Sequence, residues 1–242
     1  MSLLRRPFLL GAIASLTAST LLSRARAASR ALLPGDADVL LVVDVQNCFL
    51  PGGALPVKDG DEIGPVVNRL ARQFRHVVLT QDWHTPNHVS FASRHAGRKP
   101  FESIRLSYGP QVLWPDHCVQ GTAGAELAPG LAIPWAELVL RKGYHAEVDS
   151  YSAFYEADGR TTTGLSGYLR QRGLRRVFLC GLATDFCVAS SAVDARRAGF
   201  ETLVIEDATR AVDLDGSLGR AWERMGRAGV RRIQSAAVGA AV

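Results

Sequence analysis

The sequence predicts an α/β fold: a single-domain three-layer sandwich around a six-stranded, mostly parallel sheet. Two observations carry this. From about residue 37 onward, short apolar runs of strand length alternate with stretches of helical period, the pattern of strands joined by crossover helices. Several runs also end in a charged residue followed by turn formers, as strands do when they deliver side chains to the carboxyl edge of a sheet.

The first strand is ADVLLVVDV (37–45). Its apolar run is continuous rather than alternating, so both faces are buried, and it delivers Asp44. DEIGPVVNRLARQF (61–74) sets Ile63, Val66, Val67, Leu70 and Phe74 along one helical side. HVVLTQD (76–82) is the second strand and ends in Asp82; AELVLRKG (136–143) is the third and carries Lys142 near its end. TTGLSGYLRQRG (162–173) is a helix stopped by Gly173, and RRVFLCGL (175–182) is the fourth strand. DFCVASSAVDARRAG (185–199) is a helix stopped by Gly199, and ETLVIEDA (201–208) is the fifth strand. SLGRAWERMGRAG (217–229) is a helix, and VRRIQSA (230–236) a short sixth strand. The stretch 83–135 is rich in Pro, Gly, His and Trp and too irregular to be core; it is expected to cover a site.

With 242 residues and 47% hydrophobic content, the chain supports one sizeable core. The first 27 residues stand apart. Arg5-Arg6-Pro7-Phe8 opens them, an apolar run from Gly11 to Leu22 follows, and Ala25-Arg26-Ala27 closes them. This reads as an export signal of the twin-arginine type, with residues 28–36 a linker and 37–242 the domain. The expected location is periplasmic or secreted, without stable membrane association once the signal is cleaved; the alternative is an uncleaved anchor. The signal holds Arg5, Arg6, Arg24 and Arg26 and no acid, so its loss takes the formal charge from +5 to +1. No basic stripe remains, which excludes nucleic acid as a partner.

Two clusters suggest chemistry. QDWHTPNH (81–88) and WPDHC (114–118) gather Asp82, His84, His88 and His117. One carboxylate with two imidazoles suits zinc, iron or manganese in an open site. Asp82 and His84 share a face of an extended segment, and His117 or His88 can supply the third ligand. The plainer reading is loop histidines and a capping aspartate. In LCGLATDFCVASS (179–191), Cys187 sits at a helix start, where unpaired N–H groups and the helix dipole favour a thiolate. Thr184 or Asp185 can cap that turn. Asp44 and Lys142, at strand ends, are available as proton acceptor and cation. The plainer readings are a small buried hydrophobe, a turn acid and a solvent lysine. Cys180 lies inside the strand and reads as core. An exported chain with four cysteines permits disulfides, but the spacing leaves their pairing open.

The motifs DVQNCFLPGGAL (44–55), TQDWHTPNHVSFA (80–92), WPDHCVQGTAGAEL (114–127), RKGYHAEVDSYSAFY (141–155) and GLATDFCVASSAVDA (181–195) together resemble the nicotinamidases, among the isochorismatase-like cysteine hydrolases. The resemblance runs from about residue 37 to 235. It implies an isochorismatase-like, Rossmann-like fold and hydrolysis of nicotinamide, and of pyrazinamide, to the acid and ammonia through a cysteine thioester. It implies Cys187 as nucleophile, Asp44 as general base and Lys142 as third triad member. Asp82, His84 and His117 would bind a divalent metal, zinc before iron or manganese, with His88 close enough to serve as a further ligand or to act through water. Phe49, Trp114 and Tyr151 match positions around the pyridine ring. The Leu182–Ala183 bond matches a cis bond that turns the amides of Ala183 and Cys187 toward the oxyanion. A small-molecule substrate is the implied partner, and a homo-oligomer is compatible. One departure stands out. The family usually has Asp at the position of Cys48, so Cys48 is expected to be a second reactive thiol unless it pairs.

Overall fold

The computed structural model describes residues 32–239. The export signal and residues 28–31 lie outside the described residues. Among those described, no helix is long and apolar enough to cross a membrane.

The six expected strands form one sheet. They are β1 (Asp38–Val43), β2 (His76–Asp82), β5 (Leu138–Lys142), β6 (Arg176–Leu182), β7 (Glu201–Arg210) and β8 (Arg231–Ile233), and every neighbouring pair is parallel. The order is β5-β2-β1-β6-β7-β8. The chain therefore winds outward from β1 in one direction, then returns to its other side. The crevice between the ends of β1 and β6 is the place where such sheets hold ligands.

Strand alternation splits the core in two. Leu40 and Val42 of β1 join Ile63, Val67 and Leu70 of α1 (Ile63–Ala71) on one face. Val39, Leu41 and Val43 join Leu165 and Leu169 of α2 (Leu165–Gln171), Ala192 of α3 (Ala189–Arg197) and Met225 of α4 (Ser217–Arg227) on the other. This is the expected three-layer sandwich. Cys180 is fully buried with the first face, and burial pushes its thiol up. Gly173 and Gly199 end α2 and α3 at φ of 73° and 90°, conformations a side chain resists.

Three details differ from expectation. The helix expected over 185–199 begins instead as a wide π-type turn at Thr184–Val188 before α3 takes over. Residues 83–135 contain an antiparallel hairpin, β3 (Ser103–Leu106) with β4 (Gly109–Val112), beside the irregular loops. Leu32, expected in the linker, pairs with Val238 at the far end of the domain.

Candidate active site

The carboxyl edge of the sheet assembles four charged or reactive side chains. Asp44 directly follows β1 in a left-handed conformation, φ 48°. Its N–H donates to Thr80 Oγ1 at 3.1 Å, and the Thr80 hydroxyl donates back to Asp44 Oδ1 at 2.5 Å. Asp82 and Lys142 are the last residues of β2 and β5 and stand in register. The Lys142 ammonium lies 2.8 Å from Asp44 Oδ2, against Asp82 Oδ1, 3.0 Å from the Ser150 carbonyl and 3.5 Å from Cys187 Sγ. Cys187 Sγ and carboxylate oxygens of Asp44 and Asp82 all lie within 4.8 Å of one another. Every member of the group is buried.

Burial and charge sort these groups. Burial pushes the Asp44 carboxyl up; Lys142 pulls it down and Asp82 adds to the rise, leaving it raised. Burial acts on Asp82 in the same sense, but Lys142 and then His84 outweigh it and hold that carboxyl well below the usual range. Burial pushes the Cys187 thiol well above its usual range, with Lys142 opposing and both carboxylates reinforcing. The helix start was expected to favour a thiolate; desolvation and the two neighbouring acids oppose that tendency. Burial would lower Lys142, yet Asp44 and Asp82 raise it well above normal, which favours the ammonium.

The peptide between Leu182 and Ala183 is cis, as the resemblance implied. Beyond it the Ala183 carbonyl accepts from the N–H groups of Phe186 at 3.2 Å and Val188 at 3.1 Å, passing over the Cys187 N–H between them. Asp185 does not cap its own helix. Its carboxylate accepts from the N–H groups of Val212 at 3.1 Å and Asp213 at 2.8 Å and from the Ser217 hydroxyl at 2.5 Å. It ties the turn to the 212–217 segment instead, because three donors there outcompete the local N–H groups.

A second cluster faces the same space. His84 Nε2 and His117 Nε2 lie 3.6 and 3.8 Å from Asp82 Oδ2. His84 Nδ1 donates to the Gly143 carbonyl at 2.9 Å and His117 Nδ1 to the Pro115 carbonyl at 2.8 Å. A carbonyl can only accept, so each Nδ1 carries a proton; burial opposes charge on His84 but Asp82 outweighs it and raises that imidazole, and a bound cation would take the Nε2 lone pairs in place of a proton. One carboxylate oxygen and two imidazole lone pairs, converging within 4.8 Å, fit a divalent metal. His88 is placed differently. Its Nε2 donates to the His145 carbonyl at 3.0 Å, and its Nδ1 bonds the Ser90 hydroxyl at 2.8 Å. Burial, then His84, push it down to about 4. Both nitrogens thus have protein partners, while His84, His88 and Asp149 also bring one ligand atom each within 4.8 Å of one another, beside the Asp82–His84–His117 group. It packs on His84 at 4.2 Å between centroids.

Between the two clusters lies a narrow cavity of about 20 Å³, lined by Phe49, Trp114, Tyr151, Phe186, Leu55 and Val212, with Cys187, Ala183, Asp82 and His117 also on its surface. The Trp114 indole donates to the Tyr151 hydroxyl at 2.9 Å, and Phe186 meets Trp114 edge-on at 4.8 Å. Among the described residues Cys48 and Cys118 form a disulfide, so Cys48 is not a second reactive thiol; Cys180 and Cys187 are free.

Residues 38–237 match the isochorismatase domain. The chain belongs to the isochorismatase family. A nicotinamidase from Acinetobacter baylyi is 57% identical over 196 residues, which cover 81% of this chain and 92% of the relative. The structure of a nicotinamidase and pyrazinamidase from Acinetobacter baumanii superimposes with a TM-score of 0.83 at 59% identity, covering 84% of this chain and 98% of that one. A Pyrococcus horikoshii pyrazinamidase, solved in complex with zinc, has a TM-score of 0.67 at 36% identity, covering 82% and 99%. By this likeness the isochorismatase-family chain is an amide hydrolase.

Several residues that build this site went unnamed in the sequence reading. Phe186 is a pocket wall, and its signal was an aromatic directly beside Cys187. Thr80 holds Asp44, and Gln46 joins the two strand ends: its side chain accepts from the Asp82 N–H and donates to the Asp82 and Ala125 carbonyls, all at 2.8 Å. Both lie two positions from a named acid, but nothing in the sequence marks which polar neighbour is buried. Leu55 and Val212 come from distant loops and carry no local signal.

Proposed function

We propose that the protein hydrolyses nicotinamide to nicotinate and ammonia, and pyrazinamide likewise, through a thioester on Cys187. The observation that carries this reading is the convergence of Cys187, Asp44 and Lys142 beside a small aromatic pocket that Cys187, Asp82 and His117 all line, with His84 against Asp82. The aromatic walls suit a flat heteroaromatic ring.

In this reading Phe49, Trp114 and Tyr151 enclose the ring and exclude water. Asp44, with its raised affinity for protons, takes the thiol proton as Sγ attacks the carboxamide carbon. The N–H groups of Ala183 and Cys187 receive the developing oxyanion. Asp44 returns the proton to the departing nitrogen, which leaves as ammonia. A water then enters, gives a proton to Asp44 and adds to the thioester; collapse releases nicotinate, and the proton returns to sulfur. Lys142 touches both Asp44 and Sγ throughout. A divalent metal held by Asp82, His84 and His117 would supply a positive centre that fixes the ring nitrogen, with zinc supported by the donor set.

Export by the twin-arginine route belongs to the same proposal. Its supports are the paired Arg5-Arg6 before an apolar run and a buried disulfide, which suits an oxidising compartment. The reading is tested by ammonia release from nicotinamide, pyrazinamide and an aliphatic amide. Cys187→Ala is expected to abolish release while the protein stays folded; substantial residual turnover removes Cys187 as nucleophile.

A further inference from the structure

We infer that the Cys48–Cys118 disulfide is a clasp that positions both halves of the site, so that its reduction weakens ring binding and metal retention together. The inference rests on the reading of the site given above. Each half-cystine is wired to one half. On the pocket side, Cys48 precedes Phe49, its carbonyl takes the Leu55 N–H at 2.9 Å, and the Phe49 carbonyl takes the Val57 N–H at 2.9 Å. Phe49 and Leu55 are pocket walls. On the metal side, Cys118 follows His117, and its carbonyl takes the His84 N–H at 3.0 Å. Both histidine ligands are thus hung from the backbone of one half-cystine.

The two loops come from opposite ends of a 70-residue separation. Neither loop is part of a strand. Residues 47–49 form one helical turn with no side-chain cap, and Cys118 holds φ of 44°, which residues with a Cβ rarely adopt. The Phe49 ring also packs on the His117 ring at 5.6 Å. Asp44, Lys142 and Cys187, by contrast, hang from strand ends and a helix start. Cutting the clasp should therefore disturb binding and leave the chemical groups in place, a split a merely global stabiliser would not give.

Reduction by tris(2-carboxyethyl)phosphine breaks the S–S bond to give two thiols, and the phosphine takes oxygen from water to become its oxide. The test uses zinc-loaded protein before and after this treatment and anaerobic desalting. Thiol titration of the denatured chain should rise from two to four. After reduction the KM for nicotinamide is expected to rise tenfold or more with kcat changed less than threefold, and zinc loss to a chelator to accelerate at least tenfold. Cys48→Ser with Cys118→Ser should behave like reduced protein and ignore the phosphine; if that variant does not fold, reduction of the native chain carries the test. Unchanged KM and zinc loss after complete reduction, or four thiols before it, overturn the inference. Absence of ammonia release from the oxidised protein would instead defeat the functional reading, while zinc loss still reports on the clasp.

Discussion

Gly143→Ala should release the metal site without touching a ligand. Gly143 follows Lys142 at φ 68°, and its carbonyl orients His84. A Cβ built there would lie 2.6 Å from His84 Cε1 and 2.7 Å from Nδ1. Ordinary carbon contacts need about 3.5–4.0 Å, so the ring must retreat by roughly 1 Å. That movement breaks the Nδ1–H bond to Gly143 and turns Nε2 away from Asp82. Loss of such an orienting partner typically costs about 10–100-fold in metal affinity, or about 1.4–2.8 kcal/mol. The left-handed backbone adds about 1 kcal/mol of destabilisation on its own, a fall in Tm of about 2–4 °C for a chain of this size. Gly173→Ala separates the two effects, because Gly173 has φ 73° but nothing within 4 Å of the added carbon. Both variants should lose those few degrees of Tm, Gly143→Ala more because it also breaks the buried bond to His84. Only Gly143→Ala should show a zinc dissociation constant raised tenfold or more in chelator competition. Equal zinc affinity in the two variants refutes the assignment of His84 and its carbonyl partner.

Other perturbations follow from the same geometry. Thr80→Val removes a hydrogen bond that lowers the Asp44 pKa, so the acidic limb of kcat/KM should move to higher pH; a limb that stays put argues against Asp44 as the base. The same change strands the buried Asp44 N–H and should cost about 1–3 kcal/mol in denaturant melts. Phe186→Ala removes the edge-on contact with Trp114 and should raise KM several-fold more than it lowers kcat, and an unchanged KM would place the ring elsewhere. Lys142→Met leaves two buried carboxylates without their cation and should cost about 3–5 kcal/mol near pH 7. Without the lysine, burial raises the folded-state pKa of Asp44 further above its unfolded value, so the folded state gains protons first and the deficit should narrow as pH falls; a deficit independent of pH contradicts the pairing.

What the sequence disclosed depended on distance along the chain. Strand β1 was readable because all six of its residues are buried and five of them, Val39 to Val43, form an unbroken apolar run. The positions of Asp44, Asp82 and Lys142 followed from strand ends, which are local signals. Asp185 shows the limit: as the acid nearest Cys187 it invites pairing with that thiol or with its own helix, yet its partners lie 27–32 residues downstream. His88 shows it again. Four residues from His84 it looks like a ligand, and only the His145 carbonyl, 57 positions away, takes its Nε2. The Cys48–Cys118 pairing depends on how distant loops meet and the Asp82–Lys142 register on how distant strands align, which no spacing encodes.

The charge arrangement explains why a thiol with a raised pKa suits this site. Lys142 and an ionised Asp82 cancel, which leaves one mobile negative charge to be shared by Asp44 and Cys187. In the proposed reaction that charge passes from the Asp44 carboxylate to sulfur as the proton moves the other way. The cluster's net charge does not change, and Lys142 stands 2.8 Å from one end of the transfer and 3.5 Å from the other. Burial raises both groups, so it penalises the two end states in the same sense and largely drops out of the difference between them. What burial does change is the quality of each partner: a carboxylate that binds protons more tightly is a stronger base, and a desolvated thiolate is a stronger nucleophile. Asp82 cannot share that role, because its other oxygen faces His84 and His117 and its carboxyl is held ionised. Two aspartates meeting one lysine are thus driven apart by their surroundings, one toward proton transfer and the other toward holding a cation.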